Sequence, residues 1–237
     1  MRYLILICFV VSCFFSSPIW AKGAYGRADA RAYRVPTNFN DNLDELTAYL
    51  IEPFEKNEEL KARVIFAWIV YHIQYDAYEY KTKYEWSRDQ KEIVCKDGLC
   101  ARQTPHDTFK IRSGVCRHFA DLYQYIASKA GLKSKIITGI SEGQGHAWNA
   151  VMIKDKWYLL DATWAAQSKN VFSGIKNDRS YKRAKEIRER KAKSNRIKGS
   201  KRIDEKWFFP NPNTFYKTHK PFEEKWTLLP KHQRKIK

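Results

Sequence analysis

Three side chains in the middle of the chain are of the types that cysteine-dependent acyl chemistry requires. Cys116 stands where a helix is expected to begin, His146 opens a predicted strand, and Asp161 ends the next one. In such chemistry a thiolate attacks a carbonyl carbon, an imidazole moves the proton, and a carboxylate fixes the tautomer of the imidazole and favours its charged form. The three groups can act together only if the fold brings them to one point.

The residues after Cys116 predict a helix that holds the thiol in its first turn. Apolar residues recur there at intervals of three and four: Phe119, Leu122, Tyr123, Ile126, Ala127 and Ala130. We expect Ser113 to cap the start of this helix and Gly131 to end it. A cysteine in a first turn faces unpaired N–H groups and the positive end of the helix dipole, and both favour the thiolate.

A hairpin between the two following motifs decides whether His146 and Asp161 can meet. A two-residue turn at Lys154 and Asp155 would place Asp161 diagonally across from His146 on the same face, about 7–8 Å away by backbone. A three-residue turn would point the carboxylate to the other face. In the working register we expect the Cys116 helix to pack on the apolar residues of the shared face, which are Trp148, Ala150, Met152, Trp157 and Leu159.

The motifs GVCRHFADL, GHAWNAV and WYLLDATW resemble the three core motifs of the transglutaminase-like superfamily. With weaker flanking motifs the resemblance covers roughly residues 40–229, and it is nearer to the bacterial and kyphoscoliosis-peptidase-like branches than to animal transglutaminases. It implies an α+β fold with a papain-like core, in which the catalytic helix packs on an antiparallel β-sheet. It also implies that Cys116 is the nucleophile, that His146 is the general base and acid, and that Asp161 orients His146.

Length and composition fit one sizeable domain with shorter flanking segments. The chain has 237 residues, of which 43% are hydrophobic and 15% aromatic, as expected of a folded globule. Residues 1–21 are interpreted as a signal peptide, 22–39 as a flexible lead-in, and 230–237 as a basic tail. The transglutaminase-like domain would then occupy residues 40–229, with a basic insertion at about 168–203.

The first residues predict export. Arg2 is followed by a long apolar run, with Ala21 as a small residue at the expected cleavage site, which is typical of a secretory signal and indicates a periplasmic or secreted protein. A retained membrane anchor, or a lipoprotein attached through Cys13, is the alternative. In an oxidising compartment Cys95 and Cys100 could pair across a turn, which would leave Cys116 as the one unpaired thiol of the mature chain.

Positive charge is concentrated in the predicted insertion. The formal net charge is +18, and the segment from Lys176 to Arg202 contains thirteen Lys and Arg residues against three acidic ones. We expect a solvated, partly helical excursion without an amphipathic period; the functional alternative is a basic arm that binds an anionic surface or an acidic protein. Specific nucleic-acid recognition is not expected, because aromatic residues for stacking on bases are nearly absent from the segment.

Several polar side chains near the motifs are candidates for supporting roles. The Cys116 N–H is a natural donor to a developing oxyanion, with Gln103 or Tyr75 as possible second donors, although each is expected more often to be a structural group. His72, on an apolar helix, is expected to be a packing residue. His219 is expected to be structural, with a supporting role at the site as the alternative. Neither a metal nor a cofactor is expected, because paired zinc-ligand motifs do not occur.

These features together predict an exported thiol enzyme that acts on amide or peptide carbonyls of a protein or peptide. Attack of Cys116 on a glutamine side chain or a peptide bond would leave a thioester. A lysine amine as acceptor would give transglutamination, whereas water would give proteolysis or deamidation. The alternative is a non-catalytic transglutaminase-like interaction module that uses its basic surface.

Overall fold

The computed structural model describes residues 23–36, 39, 42–96, 103–166, 175–193 and 202–233. This part of the chain has an α+β fold in which the cysteine-bearing helix packs on an antiparallel sheet, so the predicted fold class is confirmed. The predicted signal peptide, Cys13, Cys100 and the last four residues of the predicted tail lie outside the described residues. Within them, no helix combines the length and the apolar character needed to cross a bilayer.

The first part of the fold is helical. Its segments are α1 (Gly26–Tyr33), α2 (Leu43–Ile51), a 3₁₀ turn (Glu52–Phe54) and α3 (Glu58–His72). Asn42 and Asn57 cap α2 and α3, because their side-chain oxygens accept hydrogen bonds from first-turn N–H groups. Every residue of α3 from Ala62 to His72 is buried, which makes this helix the centre of the core.

Short elements then lead to the cysteine. They are β1 (Gln74–Tyr75), α4 (Ala77–Lys83), β2 (Tyr84–Ser87), β3 (Glu92–Cys95), α5 (Pro105–Ile111) and β4 (Ser113–Gly114). Strands β2 and β3 form an antiparallel hairpin, whereas β1 pairs with β4 in parallel, with Tyr75 opposite Gly114. Helix α6 (Cys116–Lys129) starts directly after this bridge, and the left-handed Gly131 (φ 75°) follows its end.

The main sheet has four antiparallel strands in the order β7-β6-β5-β8. They are β5 (Ser134–Ser141), β6 (Gln144–Ile153), β7 (Lys156–Leu160) and β8 (His219–Pro221). Lys154 and Asp155 form the two-residue turn between β6 and β7, with φ values of 48° and 61°, and Ile153 pairs with Lys156. The predicted hairpin register is therefore confirmed.

The face on which α6 packs was predicted incorrectly. The Asn149 side chain donates a hydrogen bond of 3.0 Å to the Ala120 carbonyl, and Ala147 clusters with Cys116 and Ala120. Helix α6 therefore contacts the odd-numbered face of β6. The even-numbered face is covered by the C-terminal part of the chain: the Trp148 ring lies 5.9 Å from Phe215 and 5.0 Å from His219.

That C-terminal part consists of short elements and one long helix. They are α7 (Ala162–Ala165), α8 (Asp178–Lys193), a 3₁₀ turn (Glu205–Trp207), α9 (Pro212–Phe215), and two further 3₁₀ turns (Glu224–Thr227 and Lys231–Gln233). Trp207 and Phe208 of this part are buried.

The prediction of a flexible lead-in is wrong for Gly26–Tyr33. Ala28 and Ala32 are fully buried on the inner face of α1, where small side chains allow close approach to α3. The buried guanidinium of Arg63 lies 2.7 Å from Asp29 and 2.6 Å from Glu205. Since a buried charge requires hydrogen-bonded partners, the first helix and the C-terminal part of the chain are held to the same residue of α3.

The prediction of a solvated excursion is wrong for α8. Tyr181 is 1% exposed, and its hydroxyl donates a hydrogen bond of 2.7 Å to the buried Asp76 carboxylate. Arg188 donates to the carbonyls of Ile111 (2.8 Å) and Arg112 (2.6 Å). The sequence does not predict that α8 packs on the core, because the face that packs is not a stripe of aliphatic residues at helical spacing. It consists of long side chains with apolar stems and polar ends. Residues 168–174 and 194–201 of the predicted insertion lie outside the described residues.

Candidate active site

The β1–β4 bridge determines where Cys116 lies. Extended backbone continues to Gly114, Val115 is the N-cap residue, and α6 begins at Cys116. The prediction that Ser113 is the cap is therefore wrong. The backbone N–H of Val115 donates instead to Nδ1 of His118 (3.1 Å), which gives that histidine a structural role.

A glycine is needed just before the cap. A Cβ atom at Gly114 would lie 2.6 Å from the His118 Cβ and 3.1 Å from the Gln103 side-chain nitrogen. The close approach of these side chains to the backbone explains the glycine in the cysteine motif, and it keeps the start of α6 against β1.

His146 and Asp161 are brought together by the hairpin. Nε2 of His146, on β6, lies 2.7 Å from Oδ2 of Asp161, which follows the last residue of β7. The other carboxylate oxygen accepts the N–H groups of Thr163 (2.8 Å) and Trp164 (3.0 Å), so Asp161 is also the N-cap of α7. Asp161 is fully buried, and both its oxygens are fixed by hydrogen bonds.

A second histidine contacts the same carboxylate oxygen. Nε2 of His219 lies 3.0 Å from Oδ2 of Asp161, and its Nδ1 lies 2.8 Å from the Thr218 hydroxyl. His219 is 1% exposed, and its ring stacks on Phe215 at 4.0 Å. No spacing or motif in the sequence links His219 to Asp161, because β8 is brought to the site by its pairing with β5, and sequence patterns do not show which strands pair.

The electrostatics of this group favour a charged pair. Burial lowers the pKa of His146, but the Asp161 carboxylate and hydrogen bonds with Asp161 and the Cys116 thiol outweigh it and raise the pKa to about 10. Burial raises the pKa of Asp161, but the charge of His146 and hydrogen bonds from both histidines hold it well below its usual range. The pKa of His219 is lowered, chiefly by burial, so His219 is neutral near pH 7.

The Cys116 thiol and the His146 ring share one pocket of about 260 Å³. Because Nε2 of His146 faces Asp161, Nδ1 is the ring nitrogen left for the thiol. Cys116 is 2% exposed and is a free thiol, whereas Cys95 is disulfide-bonded. The pocket is lined by Tyr75, Tyr80, Cys116, Ser141, Glu142, Gln144, Gly145, His146, Thr163 and Trp164.

The two candidates for the second oxyanion donor lie in different surroundings. Gln103 is held by the backbone, since its amide nitrogen donates to the Ser113 carbonyl (2.7 Å) and to the Thr108 hydroxyl (2.9 Å). Tyr75 lines the pocket beside Cys116. Burial, followed by the negative charge of the Cys116 thiolate, raises the pKa of Tyr75, so its hydroxyl keeps its proton and can donate.

Helices α4 and α8 hold the chain ahead of the cysteine. The Asp76 N–H donates to the Gly114 carbonyl (3.0 Å), and its carboxylate accepts the Glu79 N–H (2.8 Å) and the Tyr181 hydroxyl (2.7 Å). Burial raises the pKa of Asp76 to about 6. His72, by contrast, lies outside the pocket, where Nε2 meets the Ala32 carbonyl at 2.9 Å; this fits its predicted packing role.

His146, Asp161 and His219 are also the one group among the described residues whose donor atoms are close enough to hold a metal ion, all within 4.8 Å of one another. Both ring nitrogens already lie at hydrogen-bond distance from the same carboxylate oxygen. An ion bound here would have to replace both hydrogen bonds, so hydrogen bonding accounts for the arrangement by itself.

Comparison with known families agrees with this geometry. The family model described as the transglutaminase-like superfamily matches residues 46–162, which contain Cys116, His146 and Asp161. These residues belong to the transglutaminase-like superfamily. Helix α8 and His219 lie beyond the matched transglutaminase-like core, so the contacts they make with it are additional to the family match.

Two curated relatives match most of the chain. Kyphoscoliosis peptidase of Mus musculus is 24% identical over 217 residues, which cover 86% of this chain and 27% of the mouse protein. Kyphoscoliosis peptidase of Homo sapiens is 24% identical over 209 residues, which cover 83% of this chain and 26% of the human protein. The chain thus spans about a quarter of the length of these relatives.

Two solved structures are partly similar to this chain. One is a candidate cysteine protease from Cytophaga hutchinsonii, with a TM-score of 0.39 and 22% identity, covering 58% of this chain and 42% of that one. The other is a TGase, with a TM-score of 0.39 and 19% identity, covering 67% of this chain and 39% of that one.

Proposed function

We propose that the protein is an exported thiol-dependent enzyme that acts on amide or peptide carbonyls through Cys116, His146 and Asp161. The observation that carries the proposal is the 2.7 Å contact between His146 and the fully buried Asp161, at a pocket that Cys116 also lines. A buried carboxylate that fixes an imidazole beside a thiol is the arrangement that nucleophilic cysteine catalysis uses.

In this mechanism the Cys116 thiolate attacks the carbonyl carbon while His146 carries the proton. As the tetrahedral intermediate collapses, His146 gives its proton to the leaving amine or ammonia, and the acyl group stays on sulfur as a thioester. In this mechanism two groups donate to the oxyanion. One is the Cys116 N–H, which has no intrahelical acceptor at the first position of α6, and the other is the hydroxyl of Tyr75, which lines the same pocket.

His219 acts in this proposal as a positioning residue. It donates a hydrogen bond to the carboxylate oxygen that His146 also contacts, and so it fixes the carboxylate and withdraws part of its charge from His146. Both effects hold the imidazole in one orientation and limit how strongly it binds its proton.

The acyl acceptor decides the reaction class. The curated relatives are named peptidases, which favours water as the acceptor and therefore hydrolysis of a peptide or amide bond. A lysine amine as acceptor would give transglutamination, with a glutamine side chain as the acyl donor. We therefore propose hydrolysis as the main reaction and amine transfer as the competing one.

The exposed side of α8 favours a second function, the binding of an anionic surface or an acidic protein. Arg179, Lys182 and Arg183 border a shallow cavity on this helix together with Glu186, while Tyr181 and Arg188 face the core. A module that only binds would keep the fold and this basic face without turnover at Cys116.

Incubation with a glutamine-containing casein and a fluorescent amine tests the proposed enzyme directly. Incorporation of the amine that is lost in Cys116→Ala identifies a transferase, and fragments lost in the same variant identify a peptidase. Release of ammonia that is lost in Cys116→Ala, without the other two products, identifies a deamidase. If none of the three products depends on Cys116, the enzyme proposal fails and the binding module remains.

Alkylation separates enzyme from module without a substrate. A thiol paired with His146 should react with limiting iodoacetamide at neutral pH in preference to an excess of an unfolded peptide thiol. Reaction of Cys116 no faster than that of the peptide thiol would favour the module.

A further inference from the structure

A second cavity adjoins the catalytic pocket where β5 ends and β6 begins. It has a volume of about 710 Å³ and shares Tyr80, Gln144 and Gly145 with the smaller pocket. Beyond these residues it is bordered by Trp86, Ile140, Phe222 and Arg88. We call this cavity the aromatic groove. A ligand that reaches Cys116 from this side must lie along it.

The floor of the aromatic groove is an ordered pair of rings. Trp86, on β2, stacks with Phe222, just after β8, at 5.5 Å and an interplanar angle of 18°. Both side chains are only half buried, so part of each ring faces the groove. An apolar pair of this kind, held open to solvent beside a reactive centre, is suited to bind a third aromatic ring.

Gly145 keeps the ring pair next to the site. A Cβ atom at this position would overlap with the Trp86 ring, so the indole rests on the backbone directly before His146. Conformational freedom explains the glycine at 143 (φ 79°) but not the one at 145, which has no positive φ. At Gly145 the requirement is close approach, and it couples the groove to the strand that carries the imidazole.

The groove also offers a cation. Arg117, beside the cysteine, is paired with Asp121 (3.0 Å) and Glu92 (3.2 Å). Among the residues that the structure describes, no carboxylate pairs with Arg88, which lines the groove beyond the rings. Lys91 adds positive charge nearby, with Nζ 5.8 Å from the centroid of Phe222. A ligand carboxylate would therefore find an available partner at this end.

We infer that the aromatic groove binds a polypeptide segment with an aromatic side chain next to the reactive acyl group and a carboxylate beyond it. The aromatic residue stacks on Trp86 and Phe222, and the carboxylate lies by Arg88. The inference rests on the proposed function for the position of the acyl group, but the groove itself is defined by contacts independent of the chemistry. It assigns a substrate class where the catalytic groups alone select none.

Binding to the Cys116→Ala protein tests this assignment without turnover. The probes are labelled peptides that carry one glutamine, a phenylalanine directly before or directly after it, and a glutamate two or three residues further on. Replacing the phenylalanine with alanine should weaken binding about tenfold or more. Replacing the glutamate with lysine should weaken it by a smaller factor, about threefold to tenfold at low salt.

Variants on the same Cys116→Ala background locate the effect. Phe222→Ala should remove most of the preference for phenylalanine, and Arg88→Glu should reverse the preference for glutamate over lysine. Phe39→Ala, in a half-buried ring pair with Tyr49 at 5.0 Å, and Arg27→Glu, on an exposed site of α1, are the matched controls and should change neither preference. Phe222→Ala is the decisive variant, because Trp86→Ala can disturb the strand at Gly145. Near-ultraviolet circular dichroism shows whether each variant keeps the fold.

The outcomes separate the groove from the chemistry. Equal binding of phenylalanine and alanine peptides, or a preference that survives Phe222→Ala, overturns the inference even if casein is processed in a Cys116-dependent way. Selective binding that depends on Phe222 supports it, even if the wild-type protein turns over none of the peptides. In that last case the groove stands as a peptide-binding site, and the casein assay decides the proposed reaction separately.

Discussion

The two halves of the candidate site are held in place by different kinds of contact. His146 and Asp161 are 15 residues apart and are joined by one hairpin with a two-residue turn. Cys116 instead depends on residues far along the chain: the Tyr181 hydroxyl holds Asp76 across 105 residues, and Arg188 holds the Ile111 carbonyl across 77. We call these the hairpin half and the bridged half.

This difference suggests how each half should respond to change. The hairpin half carries the charges, so substitutions there should alter the chemistry while leaving the fold in place. The contacts of the bridged half fix the position of the Cys116 thiol. Substitutions there should therefore lower the free energy of unfolding, and should reduce reactivity only because the thiol is held less firmly. Four measurements can break or sharpen this division.

Asp161→Asn should have the largest effect on activity. Asparagine is a good N-cap, so α7 is expected to persist, but the amide cannot favour the charged form of His146. We expect a loss of roughly 10³–10⁴-fold in the Cys116-dependent rate on casein. Asp155→Asn, at the exposed hairpin turn where asparagine tolerates positive φ, is the matched control and should leave the rate unchanged. Near wild-type activity of Asp161→Asn would mean that catalysis does not depend on the negative charge of the Asp161 carboxylate beside His146.

The free energy of unfolding should depend on pH through the same pair. The pKa of His146 rises from 6.5 to about 10 on folding, so its stabilising contribution is fully present below pH 6.5 and is lost as the pH rises toward 10. The pKa of Asp161 is lowered from 3.8, so its contribution is present above that pH and is lost as the pH falls below it. The change on the alkaline side should be on the order of a few kcal/mol.

Urea unfolding at a series of pH values measures this dependence. Asp161→Asn should remove most of the alkaline slope, because His146 then loses the partner that raises its pKa. An unchanged slope in that variant would assign the effect to other groups.

Tyr181→Phe tests the bridged half. The substitution removes the hydroxyl that donates to the buried Asp76 carboxylate at 2.7 Å, and we expect a loss of about 1–3 kcal/mol in the free energy of unfolding. Tyr78→Phe is a matched deletion on the neighbouring ring, whose hydroxyl makes an exposed 3.3 Å contact with Asp178; it should cost less than about 0.5 kcal/mol. Equal stability of the two variants would show that α8 does not support the cysteine segment.

His219→Phe should have the smallest effect, and the effect should show in the pH profile. Phenylalanine can fill the space against Phe215 but cannot donate to Asp161, so we expect about a tenfold lower kcat/KM. The alkaline limb of the pH–rate profile should shift to higher pH, because Asp161 then attracts the proton of His146 more strongly. His219→Gln keeps a donor and should restore much of the rate. A folded phenylalanine variant with an unchanged profile would leave His219 a structural role only.

The division also explains which parts could be predicted from sequence. The alternation of the strands and the two-residue turn at Lys154 and Asp155 fix which way His146 and Asp161 point, and these are local rules. A polar residue before a helix is usually its cap, which favours Ser113 as the cap of α6. The pairing of β1 with β4, which makes Val115 the cap instead, is non-local. Periodicity does not show which strands become neighbours.

Three further features depended on partners that no local pattern identifies. The first helix is held by the ion pair of Asp29 with the buried Arg63. Helix α8 is held by the hydrogen bonds of Tyr181 and Arg188. His219 lies next to Asp161 because β8 is part of the main sheet. Each is a polar contact between distant segments, whereas apolar periodicity predicts only which face of an element is buried. The basic composition of α8 predicts a solvated helix, because the side chains of its docked face have polar ends and apolar stems.

Detection of an acyl group on sulfur tests the central claim most directly. The wild-type protein and His146→Ala are mixed with a glutamine peptide or a casein, the reactions are stopped in acid, and the digests are analysed by mass spectrometry. We predict an acyl adduct on the Cys116 peptide of the wild-type protein and none on that of His146→Ala. Product formation without any adduct at Cys116, or equal adducts in both proteins, would contradict the account.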